Sequence, residues 1–223
     1  MSDAGGNRED TDSNHLQPEP SEAEAGTPRV LAALSFVLEK LVARNDRLAV
    51  DSGASDDDDD NGSSRRLRAF HGARAPNISL AKYVERLYKY CSCSPACLVV
   101  GYIYIDRMVH RHPRFLLVSL NVHRLLVTSV MLASKMLDDV HYNNAFYARV
   151  GGVSNAELNR LELELLSMLD YGVMVSSRVF ESYCLHLEKE MLWNGISQNV
   201  PRSPSLPTPV HHIPEIPLHD PQP

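Results

Sequence analysis

The sequence has 223 residues and carries 28 Asp and Glu against 22 Lys and Arg, a net charge of −6. The acidity is one-sided: residues 1–63 hold 15 acids against 5 bases (−10), which leaves 13 against 17 (+4) for residues 64–223. That nearly neutral remainder lacks the concentrated basic stripe of a nucleic-acid surface. No apolar segment follows a basic start, so no secretory signal is read. The length admits one domain with tails. A nuclear or cytoplasmic location is expected, where Cys91, Cys93, Cys97 and Cys184 stay reduced.

Residues 1–26 are rich in Asp, Glu, Ser, Gly and Asn with little to bury, and are expected to be disordered. Thr27-Pro28 places a cap residue before a first-turn proline. Val30, Leu34, Val37, Leu38 and Leu41 then recur at helical spacing, which predicts an amphipathic N-terminal helix over 29–47, within a segment 27–48. Residues 49–76 read as a flexible linker: a run of five aspartates ends at Asp60, and Arg65, Arg66, Arg68 and Arg74 follow as a loose basic cluster.

Ser79 caps a predicted helix over Leu80–Cys91 with Leu80, Tyr83, Val84, Leu87 and Tyr90 as its apolar face. Ser94-Pro95 starts another, running to about Arg111, with Leu98, Tyr102, Ile105 and Val109 on one stripe and Asp106 beside it. Leu125–Leu137 is apolar or small at every position but Lys135, the pattern of a helix wrapped on all sides. Its thirteen residues are too few to span a bilayer. The central helix is read over 120–138 with Ser119 or Asn121 as its cap, and Ser129, Ala133 and Ser134 are small enough for close backbone approach. Asn144 is the expected cap of a short helix through Arg149, ended by Gly151-Gly152. Ser154 and Glu157 have capping-box spacing and open a helix over 155–169, with Leu158, Leu161, Leu165, Met168 and Leu169 inward. A last helix over Ser177–Trp193 carries Val179, Phe180, Tyr183, Leu187 and Met191. Residues 194–223 are rich in proline and read as an extended tail. No strand-period segment of useful length occurs, so the class is all-α.

Cys91-x-Cys93-x3-Cys97 has no second Cys or His pair at zinc-site spacing, and buried free thiols are the expected state. His110 and His112 stand at a helix end, where a cation opposes the dipole, and no metal is expected there. No Gly-rich phosphate loop, nucleophile elbow or catalytic carboxylate pair is found. Neither catalysis, a cofactor, a metal nor a small-molecule ligand is therefore expected. Ser203-Pro204 and Thr208-Pro209 in the tail have the form of proline-directed phosphorylation sites.

Asp106, Lys135 and Glu162 are charges beside apolar faces, and each needs a partner or an edge position. Asp106 can pair with Arg86 on the preceding helix. Lys135 and Glu162 stand on helices expected to be neighbours. They can pair with each other, or flank a shallow groove and offer a donor and an acceptor to a partner's main chain.

Tyr104-Ile-Asp-Arg107, Met131-Leu-Ala-Ser-Lys135 and Leu161-Glu162 resemble the successive helix motifs of a cyclin box. Ser94-Pro-Ala-Cys97, Asn121-Val-His-Arg-Leu125, Ala148-Arg-Val-Gly-Gly-Val153 and Glu157-Leu-Asn-Arg-Leu-Glu162 are similar to the plant P-type (U-type) cyclins and the related yeast phosphate-signalling cyclin. The resemblance covers residues 77–188. It implies a five-helix box over 77–175, followed by one further helix over 176–193, that binds and activates a cyclin-dependent Ser/Thr kinase in cell-cycle or nutrient signalling. It also implies that Lys135 and Glu162 hydrogen-bond main-chain groups around the kinase's movable regulatory helix, and that Asp106 pairs with a first-helix arginine, for which Arg86 is the candidate. The arginine-and-hydrophobic first-helix patch that docks substrates in relatives is not recognisable in Leu80–Cys91. The alternatives are a cyclin-box adaptor that binds a kinase or signalling protein without activating it, and a transcription-factor-type cyclin fold, which the charge balance disfavours. No nucleic-acid or membrane partner is expected.

Overall fold

The computed structural model describes residues 28–51 and 66–193. The expectations for residues 1–26, Thr27, the aspartate run and the tail, with Ser203 and Thr208, fall outside the described residues. The described chain forms α1 (Arg29–Asp51), α2 (Leu80–Cys91), α3 (Pro95–Arg111), α4 (Val122–Leu137), α5 (Asn144–Gly151), α6 (Asn155–Met168) and α7 (Ser177–Trp193), with a short helical turn at residues 66–68 and no strand among the described residues.

Two helices occupy the centre. α4 is buried from Val122 to Ser134 except at Arg124, as its uniform composition predicts. α3, expected to show one stripe, is buried without interruption from Cys97 to Ile105. The reason lies in the packing: α3 lies against α4 on one side and against α1, α6 and α7 on others. Gly101 and Ser129 allow the close α3–α4 approach, since a Cβ on Gly101 would stand 3.1 Å from Val130 Cγ2 and 3.3 Å from Ser129 Oγ. α2, α5 and α6 cover the remaining faces of α4.

The local start signals mostly act as read. Ser79 Oγ accepts from the Lys82 N–H, and Ser154 Oγ from the Glu157 N–H at 3.1 Å. The α5 cap is one residue earlier than expected: Asn143 Oδ1 accepts from Phe146 N–H at 3.0 Å, which frees the Asn144 side chain. Gly152 adopts a left-handed φ of 74° and ends α5, with Val153 N–H donating to Ala148 O. Asn121 precedes α4 but does not cap it with its side chain; it is buried, accepts from Val118 N–H and donates to Leu116 O, bracing the preceding loop.

α1 runs one turn beyond its predicted end and docks on α2, α3 and α7. Val30, Leu31, Leu34, Leu38 and Val42 are its buried face, shifted slightly from the predicted stripe so that Leu41 is only half-buried. Its far end is fixed by polar contacts: Asn45 Nδ2 donates to Leu117 O at 3.0 Å, and Asp46 accepts from both the N–H and the hydroxyl of Ser119. The assignment of residues 49–76 to a flexible linker fails over its second part. Phe70 is fully buried, Gly72 N–H donates to Leu120 O at 2.8 Å, and Arg66 bonds Ser167 Oγ at 2.9 Å. A lone phenylalanine within a charged segment shows no periodicity, yet burying it supplies roughly 1.5–3 kcal/mol toward holding that segment down. Tyr90, predicted inward, is 54% exposed, and Cys91 takes the inward place.

Candidate docking site

α4 leaves the core at its last turn. Its side chains are buried through Ser134, Lys135 is half-buried, and Met136 and Leu137 are exposed. A lysine at this position also meets the negative end of the helix dipole. α6, started by Ser154, turns Leu158, Leu161 and Leu165 inward, which sets Glu162 at the edge of that face and Leu163 outward at 67% exposure. Lys135 Nζ donates to Glu162 Oε1 at 2.6 Å, with 27% and 15% of the two side chains exposed. Asn144, released from capping, donates to Glu162 Oε2 at 2.7 Å and to Asn159 Oδ1 at 2.8 Å. Glu162 is thereby fixed from two helices. Lys135 spends one of its three ammonium donors on the pair.

A second clip joins the same two helices. Arg124 Nε donates to Glu157 Oε1 at 2.7 Å, so the capping-box glutamate turns to α4 rather than back to its own cap. Beyond Lys135, Asp138 gathers the end of α4 and the start of α3. Its Oδ2 accepts from Ser134 Oγ at 3.0 Å, from Cys97 Sγ at 3.1 Å and from Ser94 N–H at 3.4 Å. By its place in the sequence Asp138 marks only the end of the helix. Serine at i−4 from an aspartate that closes a helix was the available signal.

The expected Arg86–Asp106 pair is not formed. Arg86 lines an outer groove with Phe146, Arg149 and Val150, while Asp106 takes the Tyr183 hydroxyl at 2.5 Å and His110 Nδ1 at 3.3 Å. The physical reason is that α3 is sheathed by α7 on the side where Asp106 stands, so its partner comes from α7 rather than α2. The rest of Tyr104-Ile-Asp-Arg107 serves the same junction. Tyr104 OH donates to Val173 O at 2.8 Å, and Arg107 donates to Gly172 O and Met174 O at 3.0 and 2.9 Å. The motif fastens the α6–α7 connection and α7 to the central helices.

Cys91, Cys93, Cys97 and Cys184 are free and buried, and burial pushes the Cys91 and Cys93 thiols up to about 12. Among the described residues no group of three or more His, Cys, Asp or Glu side chains is placed to hold a metal ion, and no helix is long and apolar enough to cross a membrane. His112 bonds Met168 O and His123 bonds Ile78 O, each through Nε2.

The geometry is that of an all-helical box at whose edge the partly buried Lys135–Glu162 pair joins α4 to α6. The cyclin family model matches residues 28–173, about two thirds of the sequence. Cyclin-U1-1 of Arabidopsis thaliana is 66% identical over 174 residues, covering 78% of this chain and 79% of the relative. Cyclin-P1-1 of Oryza sativa subsp. japonica is 49% identical over 74% of this chain and 63% of its own length. Cyclin-U4-1 of A. thaliana is 45% identical over 73% of this chain and 76% of the relative. This chain belongs to the cyclin family and groups with plant U- and P-type members. Cyclins are regulatory subunits, generally not enzymes.

Proposed function

We propose that this cyclin binds a cyclin-dependent Ser/Thr kinase through Lys135 and Glu162 and activates it, in cell-cycle or nutrient signalling. The observation that carries the reading is the incomplete satisfaction of the pair. Their charges neutralise each other at 2.6 Å, yet Lys135 retains two unused N–H donors and both side chains keep some exposure. Internal pairing and partner docking are therefore compatible. Pairing, together with Asn144, pre-sets the two head groups before a partner arrives, which reduces the ordering cost of binding. Met136, Leu137 and Leu163, which follow the pair in the chain, are exposed and supply apolar contact area around it. In the kinase, a regulatory helix held inward lets its glutamate pair with the ATP-site lysine. A partner that binds the inward state better shifts that equilibrium.

The test exploits the internal pair. Lys135→Glu or Glu162→Lys alone leaves two like charges half-buried together and costs about 2–3 kcal/mol of stability. The double reversal restores complementary charge and with it most of the stability, but presents donor and acceptor in exchanged places. Pull-down from plant extract followed by a kinase assay is expected to recover kinase and activity with wild type and neither with the folded double reversal. Full binding and activity in the double reversal sinks the assignment. Kinase recovered with wild type but without activity supports the adaptor reading.

A further inference from the structure

The outer face of α2 is predominantly basic. Lys82, Arg86 and Lys89 follow one another at helical spacing, all exposed, and Arg149 of α5 stands across from them. Together with Glu85, Tyr90, Phe146 and Val150 they line an open groove of about 580 Å³ between α2 and α5. Four cations face one carboxylate, in a chain whose net charge is −6. Among the described residues none of the four is ion-paired with a carboxylate. Two lie over aromatic rings instead: Lys89 Nζ is 5.8 Å from the Tyr90 ring centre, and the Arg149 guanidinium 5.4 Å from that of Phe146. Phe146 in turn stacks on Tyr142, at 4.0 Å and 21° between planes. Glu85 offsets part of this charge at i−3 and i+4 spacing to Lys82 and Lys89, and the remaining like-charge neighbours, Lys82 with Arg86 and Arg86 with Lys89, leave a net positive face that an anionic ligand would relieve.

We propose that the α2–α5 groove is a docking site for an acidic peptide segment of a partner protein. Carboxylates would engage Lys82, Arg86, Lys89 and Arg149, and an aromatic or aliphatic side chain would lie on the Tyr90, Phe146 and Val150 surface. The site selects against basic docking motifs, and neither Lys135 nor Glu162 lines it, so its occupancy can be read without any kinase. Its cations form a short cluster around an apolar floor rather than a track long enough to follow a nucleic-acid backbone, which favours a peptide. Tyr90, left exposed against its predicted inward place, becomes part of that floor.

The experiment is fluorescence anisotropy with the full chain and a labelled peptide of alternating Asp and Glu around a central Phe. Its controls are the Asn/Gln counterpart, the Lys/Arg counterpart and an oligo-dT strand. Wild type is expected to bind the acidic peptide, more weakly as sodium chloride rises, because exposed charge contacts are screened. Arg86→Glu with Lys89→Glu is expected to weaken binding at least tenfold, and Glu85→Lys to strengthen it severalfold. All three positions are exposed, and circular dichroism checks that the variants stay folded. Equal binding of the Asn/Gln or Lys/Arg peptide, or indifference to the charge reversals, overturns the proposal. Tighter binding of oligo-dT overturns it in favour of a nucleic acid. Peptide binding that appears only after Asp56–Asp60 are replaced by Asn overturns the partner assignment in favour of the chain's own acidic run.

Discussion

Gly151 is the position where one added atom tests the packing most directly. It stands at the end of α5 against Val127 of the central helix, and a Cβ there would be 2.6 Å from Val127 Cγ2, 3.1 Å from Cβ and 3.2 Å from Cγ1. Carbon atoms rest about 3.5–4.0 Å apart, so the new methyl overlaps Val127 by about 1 Å. Val127 is fully buried and β-branched, with little rotamer freedom to yield. Overpacking of this kind costs about 1–3 kcal/mol, while replacing a helical glycine by alanine returns about 1 kcal/mol or less. Gly151→Ala is therefore expected to destabilise the protein by about 1–2 kcal/mol. Val127→Ala alone removes the clashing methyls and opens a cavity, at about 2 kcal/mol. In the double variant the new methyl of Ala enters that cavity, so the combined loss should fall at least 1 kcal/mol short of the sum, the coupling expected for residues in contact. Urea unfolding followed by circular dichroism reads all four proteins. Strict additivity would refute the proposed α5–α4 contact. A shift of α5 also disturbs Asn144 at one end and Arg149 at the other, since both side chains ride on this helix.

Burial of His71 and His123 lowers their pKa values below 6.5. The unfolded chain then binds more protons than the folded one, so stability is fully present above pH 6.5 and falls as the pH drops through the lowered folded values. His123→Gln, which keeps a donor for Ile78 O, is expected to show a smaller loss of melting temperature between pH 7 and pH 5.5 than wild type; an identical loss would exclude His123 as a contributor. Thiols pushed up to about 12 by burial are almost wholly protonated at pH 7.5, and the thiolate is the reactive form. Iodoacetamide should therefore leave Cys91 and Cys93 unlabelled in the native protein for hours and label them promptly in urea, as read by peptide mass spectrometry.

What the sequence made legible was local or periodic. Ser79 and Ser154 act within three residues of themselves, and the inward leucines of α6 repeat at the helical period, so both could be read without knowing the fold. The Lys135–Glu162 pairing was readable as one of two options, because both residues interrupt apolar helices that had to be neighbours. The Asp106 partner was not legible. Arg86 and Tyr183 are both plausible by chemistry, and only the wrapping of α3 by α7 decides between them. Phe70 is buried, and Asp46 meets Ser119 across 73 residues of sequence, without any repeat to announce either. The Asn143–Asn144 exchange is subtler, since two adjacent asparagines offer equal caps and the choice depends on Glu162 needing one of them.

The span matched to the family ends at residue 173, but the polar junction built by Tyr104, Asp106 and Arg107 reaches through Met174 to Tyr183. Phe180, Cys184, Leu187 and Met191 are all buried against the rest. Anyone fusing a fluorescent reporter or degradation tag at the family boundary would cut through this seam. Such a cut would strip the hydroxyl from Asp106 and bare the apolar faces of α1 and α3 that α7 covers. A tag intended to follow this cyclin in cells belongs after α7.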